Sequence, residues 1–203
     1  MYRPAHFAVD DADTLHAFIR SHPFATVAAV IGGAVHFAYA PVVLDAPGTV
    51  RFHLARANPL AQLGEGARVR LSFMGPHAYV SPDWYATPGM VPTWNYMAVE
   101  GEGAVTPLRG EALVRLLADL SAAEEAHLRP KKPWTIDKVP EPKMTTLKNA
   151  IVGLEVVFDT LSGKFKLSQN VKPEDRAGAI AGLESRGDPQ SAATAREMRK
   201  AGR

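Results

Sequence analysis

Three polar residues that suit an anion, His53, Arg56 and Asn58, lie close together directly before Pro59. We predict that a strand ends here and that a short helix begins near Pro59. A guanidinium, an amide and free backbone N–H groups would then converge on one point, which suits an anion. The alternative is that Asn58 caps the turn after Pro59 and that Arg56 pairs with an acid on the surface.

A second candidate is the aromatic stretch on both sides of Pro82, in which Tyr79, Trp84 and Tyr85 accompany Ser81. Aromatic side chains beside a proline break can form a loop that walls a flat ligand. The same side chains can close the end of a barrel as an apolar plug, and the sequence leaves both interpretations open.

A third candidate is the start of the strand that follows Pro92. Alternation along a strand places Trp94 and Tyr96 on one face and Asn95 on the other. The amide of Asn95 could bind the edge of a heterocycle, or it could satisfy backbone groups at the strand end.

The fourth candidate follows Gly163, where Lys164 and Lys166 alternate with apolar residues and Ser168 and Gln169 come next. This stretch offers positive charge together with neutral donors. A solvated edge strand guarded by lysines is the competing interpretation, and it explains Lys164 better than it explains Ser168 or Gln169.

The composition excludes several other kinds of chemistry. The chain has 203 residues, no cysteine and a net charge of +2. Disulfides, thiolate nucleophiles and Cys-ligated zinc are therefore excluded, and the seven histidines form no HExxH motif, so we predict no metal site. Nucleotide-binding glycine motifs and the GxSxG motif are also missing from the sequence. With no apolar run near 18 residues, we expect a soluble cytoplasmic protein.

The elements that must position these candidates are mainly strands with tight turns between them. An amphipathic helix over 10–20 precedes them, and a helix with a leucine stripe over 109–125 follows them. We predict turns at 45–48, at Gly75-Pro76 and at Gly163, and we place Glu174 and Asp175 on a solvent-facing helix start. The pattern indicates an antiparallel barrel or sandwich with flanking helices. The predicted strands are 24–31, 35–44, 49–54, 68–74, 77–81, 93–105, 151–158 and 164–167, and two tail helices over 173–203 are broken at 187–189.

At these stretches the chain resembles the PaiB family, FMN-binding negative transcriptional regulators built on a flavin-binding split barrel. Two departures from the family are Tyr39, where a histidine is expected, and Phe52, where a glycine often precedes the histidine. The matching stretches are Met1-Tyr2-Arg3-Pro4 with His6-Phe7, the segment 53–59, Tyr79-Val80-Ser81-Pro82 with Trp84-Tyr85, the segment 92–96, and the segment 163–170.

The resemblance implies a mainly β (α+β) fold, an antiparallel split β-barrel over 1–170 with a C-terminal helical tail over 171–203. It also implies a homodimer with FMN at the subunit interface. Arg56 and Asn58 would hold the FMN phosphate, and Asn95 would bond the pyrimidine side of the ring, which Trp94, Tyr79 or Trp84 could cover. The implied cofactor contacts are His53, Arg56, Asn58, Tyr79, Ser81, Trp94, Asn95, Lys166, Ser168 and Gln169.

The function implied by the resemblance is an FMN-binding transcriptional regulator or a flavin-dependent sensor. The alternatives are an FMN-dependent oxidoreductase that uses NAD(P)H, for which the cofactor supplies the electron chemistry, and a split-barrel binding module without flavin. DNA is a possible partner, although the sequence shows no helix-turn-helix pattern and its most basic helix is the tail with Arg196, Arg199, Lys200 and Arg203.

Overall fold

The structure is a computed structural model that describes residues 1–45 and 48–201. The centre of the predicted 45–48 turn and the predicted tail cation Arg203 lie outside the described residues. The chain divides into two compact units. The first unit comprises Met1–Leu15, Met74–Val99 and Ser162–Arg203, and the second comprises His16–Phe73 and Glu100–Leu161.

The described chain contains eight strands and five α-helices. The strands are β1 (Ala8–Val9), β2 (Phe24–Ile31), β3 (Ala34–Pro41), β4 (Val43–Leu44), β5 (Thr49–Ala55), β6 (Arg68–Val80), β7 (Thr93–Leu108) and β8 (Ile151–Lys166). The helices are α1 (Ala12–Ser21), α2 (Gly110–Ala126), α3 (Glu141–Asn149), α4 (Pro173–Ser185) and α5 (Pro189–Lys200). The predicted mainly antiparallel fold with flanking and C-terminal helices is confirmed.

In the second unit the strands follow the order β3-β2-β6-β7-β8-β5-β4. The pairs β2–β6 and β5–β8 are antiparallel: Ala25 lies opposite Phe73, and Thr49 lies opposite Val157. A Cβ at Gly103 would lie 2.0 Å from the backbone oxygen of Val157, so this glycine permits the close approach of β7 and β8.

Helix α2 covers part of this sheet through the predicted leucine stripe. Leu113, Leu116 and Leu120 are buried and form one cluster, against which Leu117 and Ile151 pack. Their spacing of three and four residues places them on one helix face, so the amphipathic pattern explains where α2 lies.

The first unit is built from the chain termini and a central segment. Strand β1 pairs with the end of β8, with Ala8 opposite Lys164. The predicted break of the tail is confirmed, because α4 ends at Ser185 and the Asp188 side chain caps α5 by accepting a hydrogen bond from the Ser191 N–H. Both helices belong to the same compact unit as residues 162–170. The division at residue 170 stays a prediction.

Two predicted turns are wrong. Gly75 and Pro76 lie inside the continuous strand β6, and Gly163 lies inside β8. The register of β6 with β2 ends at Phe73, so the missing N–H of Pro76 removes no bond from that ladder. Gly163 is required for packing, because a Cβ there would lie 2.6 Å from Leu15 Cδ2.

Candidate functional site

The polar side chains of the Arg56–Asn58 turn, in the second unit, form hydrogen bonds with groups of the protein itself. Arg56 Nε donates to the backbone oxygen of Asn149 at 2.6 Å, and Nη2 donates to that of Ile151 at 2.8 Å. Asn58 Oδ1 accepts from the Leu60 N–H at 2.9 Å and caps the 3-10 turn Pro59–Gln62. The capping alternative is confirmed for Asn58, whereas Arg56 bonds backbone carbonyls rather than a surface acid.

His53 lies near the end of β5, opposite Gly153. Its Nδ1 atom is buried and has no hydrogen-bond partner in the described part of the chain. Burial lowers the pKa of His53, because the charged imidazolium is poorly solvated there. The neighbouring Phe52 points into the core and is fully buried.

The Arg56–Asn58 turn borders a cavity of about 1210 Å³ in the second unit. Its wall carries four cationic side chains and two carboxylates. Glu111 pairs with Arg115, and Glu65 accepts a hydrogen bond from Thr106. The charged lining residues are Arg56, Glu65, Arg109, Glu111, Arg115 and Lys148.

The predicted aromatic residues of the first unit separate into an exposed pair and a packed loop. Trp94 is 53% exposed, and its ring centroid lies 6.4 Å from that of Tyr79 and 5.9 Å from that of His77. Tyr79 is also exposed. These two aromatic rings are therefore accessible to a flat ligand, and their covering of a flavin ring stays a prediction.

Trp84 belongs to the packed loop, because it lies against α4. A Cβ at Gly182 would fall 2.1 Å from the indole atom Cδ2, and one at Gly178 would fall 2.0 Å from the Trp84 backbone oxygen. Ser81 caps this short turn by accepting from the Asp83 N–H at 3.3 Å. Helix α4 therefore packs against the indole of Trp84, and a flavin contact of Trp84 stays a prediction.

Asp175 was predicted to face solvent, and this prediction is wrong. The carboxylate is 2% exposed and accepts hydrogen bonds of 2.8 Å from both the N–H and the hydroxyl of Thr87. The hydrogen bond from the Thr87 N–H is the main cause of a lowered Asp175 pKa. Asp175 therefore fastens the loop after Trp84 to the start of α4.

Asn95 and Ser168 meet inside the first unit. Asn95 is fully buried, and its Nδ2 donates to Ser168 Oγ at 2.8 Å, while its Oδ1 has no partner in the described chain. Ser168 has a φ of +61°, a left-handed conformation that is costly for serine. Gln169 accepts from the Leu167 N–H and donates to the Phe165 oxygen. These three side chains fix the bend after β8, and their flavin contacts stay predictions.

Lys164 and Lys166 lie on one side of β8, because they are two residues apart. Lys164 is only 8% exposed, and its Nζ lies 5.4 Å from the ring centroid of Tyr2 and 5.3 Å from that of Tyr96. Lys166 Nζ donates to Thr93 Oγ1 at 2.6 Å and to the Trp94 oxygen at 2.7 Å. Burial, followed by the charge of Lys164, lowers the pKa of Lys166.

The sequence interpretation named Lys164, Tyr2 and Tyr96 separately and did not bring them together. The available signals were the alternation of the two lysines and the N-terminal stretch Met1-Tyr2-Arg3-Pro4, which received no role. Only the fold shows that this stretch reaches the end of β8, where β1 pairs with it.

A family model described as "Putative FMN-binding domain" matches residues 1–160. The chain belongs to this FMN-binding family. The Bacillus subtilis "Protease synthase and sporulation protein PAI 2" is 30% identical over 195 residues, which cover 94% of this chain and 93% of that protein. An uncharacterized Aspergillus fumigatus protein is 31% identical, covering 100% of this chain and 98% of that protein. The predicted membership of the PaiB-type FMN-binding family is confirmed.

Solved structures confirm the flavin-binding split-barrel fold of the family. The flavocytochrome Anf3 from Azotobacter vinelandii has a TM-score of 0.60 and 18% identity, covering 87% of this chain and 78% of that one. The FAD and heme binding protein from Mycobacterium smegmatis has a TM-score of 0.58 and 18% identity, covering 85% of this chain and 79% of that one. These identities are low, so the two likenesses concern the fold alone.

The family cofactor is FMN, and side chains of this chain fit its chemistry. The exposed rings of Tyr79 and Trp94 suit a flat isoalloxazine, and the ammonium groups of Lys164 and Lys166 suit a phosphate. Metal-ligand clusters are absent from residues 1–45 and 48–201. None of the helices described is both long enough and apolar enough to cross a membrane.

Proposed function

We propose that this chain is an FMN-binding regulator or flavin-dependent sensor of the PaiB type. The observation that carries the proposal is the family match combined with exposed aromatic rings at Tyr79 and Trp94 in a strand-rich unit. When bound, FMN supplies one- or two-electron transfer, and the chain supplies binding and orientation. The name of the 30% identical Bacillus subtilis protein, which refers to protease synthesis and sporulation, favours a regulatory role.

The basic tail gives little support to direct DNA binding. Arg199 pairs with Glu184 at 2.9 Å, and Lys200 pairs with Glu197 at 2.7 Å. These pairs reduce the positive charge that a phosphate backbone would meet, leaving Arg196 as the remaining cation of α5 that the structure describes.

We propose that the protein is a homodimer, and one sheet face of the second unit supports this. Strands β2 and β3 pair so that Val30 lies opposite Val35 and Ala28 lies opposite Phe37. Large apolar side chains on that face are exposed, with Phe37 at 60%. The exposed apolar residues of the face are Phe24, Val30, Val35, Phe37 and Tyr39.

The size of this face matches a dimer contact. Its three aromatic residues together expose on the order of 400 Å² of apolar surface. A standard interface covers about 800 Å² per partner, a little over half of it apolar. In addition, β3 is the end strand of the sheet order, and an apolar edge strand invites pairing. We expect Phe37→Glu to shift the protein toward monomer in sedimentation equilibrium, whereas Val157→Glu, at 55% exposure on β8, leaves the dimer intact.

FMN binding is tested with the purified chain by its visible flavin absorption and by titration with FMN. We expect saturable binding that is weakened in Trp94→Ala and unchanged in Trp134→Ala, a substitution in the second unit. Absence of flavin binding at any FMN concentration would overturn the proposed function and favour a split-barrel module without cofactor.

The second candidate function is an FMN-dependent oxidoreductase that uses NAD(P)H. The same exposed Trp94 and Tyr79 favour it. A flavin that lies against exposed side chains can leave one face of its isoalloxazine open to a nicotinamide. Oxidation of NAD(P)H by the loaded protein above the rate of free FMN would support the oxidoreductase over the sensor. Duplex binding whose logarithmic affinity falls linearly with the logarithm of salt concentration would instead support a DNA-binding regulator.

A further inference from the structure

The end of β8 holds a lysine whose side chain is buried along most of its length and which has no negative partner. Lys164 is 8% exposed, and no carboxylate of residues 1–45 or 48–201 forms an ion pair with it. Burying an ammonium group is costly unless it is paired and hydrogen-bonded. The rings of Tyr2 and Tyr96 give cation–π contacts, which offset part of that cost but bring no negative charge.

A nearby cation shows how the chain satisfies a charge that serves structure. Arg3 Nη1 donates to Asp10 Oδ1 at 2.6 Å and approaches the backbone oxygens of Val9 and Gly163 at 3.4 Å. Arg3 thus has a carboxylate and two carbonyls, whereas Lys164 has only aromatic faces. The contrast indicates that the ammonium group of Lys164 is available to an anionic group from outside the chain.

Lys166 adds a second ammonium group on the same side of the strand. Its contacts with Thr93 Oγ1 and the Trp94 carbonyl fix it in place, and its Nζ lies 5.8 Å from the ring centroid of Phe7. Burial is the main cause of the lowered pKa of Lys166, and repulsion by the charge of Lys164 adds to it. A doubly charged anion would relieve both costs at once.

Aromatic rings surround the two cations. Tyr2 is 83% exposed although its ring lies over Lys164 Nζ, so the ring can move aside with little loss of buried area. Tyr2, Phe7 and Tyr96 together provide aromatic faces around the two cations, and such faces favour a ligand that is itself aromatic.

We propose that Lys164 and Lys166, with the rings of Tyr2, Phe7 and Tyr96, form a binding site for the phosphate monoester of a ligand that also contains an aromatic ring. The N-terminal segment provides one wall of this site. In the proposed function the phosphate is that of FMN, and this assignment rests on that function. The other source of the same chemistry is a non-flavin phosphate monoester of an aromatic compound, such as an aryl phosphate.

The FMN assignment is tested by comparing affinities for FMN and riboflavin, which differ by the phosphate. The full-length chain, freed of flavin, is titrated with each compound. We expect Lys164→Met and Lys166→Met each to weaken FMN binding by roughly tenfold to a hundredfold, as for loss of a charge-assisted bond, and to leave riboflavin binding unchanged. Lys164→Arg keeps the charge and should retain part of the FMN preference. Lys172→Met removes an exposed lysine of the same unit and should behave as wild type.

Phenyl phosphate provides an arm that does not depend on flavin. We expect calorimetry to show binding by the wild type that is lost in Lys164→Met, and we expect Tyr2→Ala to weaken phenyl phosphate more than inorganic phosphate. If phenyl phosphate binds while the FMN-to-riboflavin ratio is unchanged in the lysine variants, the second source is correct. If the wild type binds no phenyl phosphate and the FMN-to-riboflavin ratio survives in both lysine variants, the proposal is overturned. If neither flavin binds, the proposed function fails, and the phenyl phosphate result alone decides this proposal.

Discussion

The Arg56–Asn58 turn and the Lys164 end of β8 both offer cations to an anion, but their surroundings differ. Arg56 donates to the carbonyls of Asn149 and Ile151, and Asn58 caps its own turn. Lys164 is more deeply buried and is surrounded by rings instead of acceptors. Cations in two stretches that match the family therefore have different roles: Arg56 stabilises the backbone, whereas Lys164 is available to bind an anion.

The difference has an energetic consequence. Hydrogen bonds from Arg56 stabilise the ligand-free protein, whereas the unpaired charge of Lys164 destabilises it until an anion binds. Substitutions at the two places should thus change stability in opposite directions and flavin affinity to different extents.

The largest expected change in stability comes from Arg56→Ala. We expect the free energy of unfolding to fall by about 1–2 kcal/mol, because two bonds from a charged donor are lost at a partly solvated site. Urea denaturation of the flavin-free protein measures this. Arg115→Ala removes a cation whose pair with Glu111 is exposed and 3.6 Å long, and should cost less than about 0.5 kcal/mol. Equal losses in the two variants would show that the Arg56 bonds have no special role.

Asn58→Ala should produce the next largest loss, about 1 kcal/mol, because the Leu60 N–H loses its cap. Asn58→Ser keeps a side-chain acceptor and should recover most of the stability in the same urea experiment. A loss of FMN affinity without any loss of stability would contradict the contrast, since it would make Asn58 a ligand group rather than a cap.

Most of the fold could be predicted because its signals are local. The apolar patterns over 24–31 and 35–44 predicted strands that form the β2–β3 pair, and the leucine spacing predicted α2. The turns predicted at Gly75-Pro76 and Gly163 were wrong, because a glycine can mark a turn or can make room for close packing within a strand. Gly163 serves the close packing of Leu15, a residue far away in the sequence, and no local pattern reports such a contact.

The site was predicted less completely for a similar reason. The motif residues Asn95 and Ser168 were singled out as ligand contacts, yet they bond each other from positions 73 residues apart. The sequence favoured an edge-strand role for Lys164. It does not show that the rings of Tyr2, from the N-terminus, and Tyr96, from β7, lie beside the Lys164 ammonium group. Residue type indicates what a side chain can bond, and only the fold shows which partners it already has.

Lys164→Met provides the test of opposite sign. We expect the flavin-free protein to keep its stability or to gain up to about 1 kcal/mol, because a buried charge is replaced by an apolar side chain of similar length. Lys166→Met should lose stability, since its bonds to Thr93 and to the Trp94 carbonyl disappear. Thermal unfolding with and without FMN measures both. A strong destabilisation by Lys164→Met would mean that the cation–π contacts are structural and that no ligand is needed to compensate the charge.

The smallest expected effect is the pH dependence caused by His53, beside the Arg56–Asn58 turn. Burial lowers its pKa below the ordinary value of about 6.5, so between these two values the unfolded chain binds more protons than the folded one. Stability should therefore be complete above about pH 6.5 and fall as the pH drops toward the folded-state pKa. We expect His53→Gln to reduce the difference between the urea midpoints at pH 7.5 and pH 5.5.

The same titration also tests whether the two regions differ in their need for an anion. The gain in stability from FMN is compared at the two pH values in the wild type and in His53→Gln. We expect the ratio of the gains to be the same in both proteins, because a buried neutral imidazole does not attract phosphate. If the wild type alone gained more from FMN at pH 5.5, the protonated His53 would be an anion ligand. The second unit would then hold a charge in need of a partner, as we infer for Lys164, and the contrast between the two regions would be wrong.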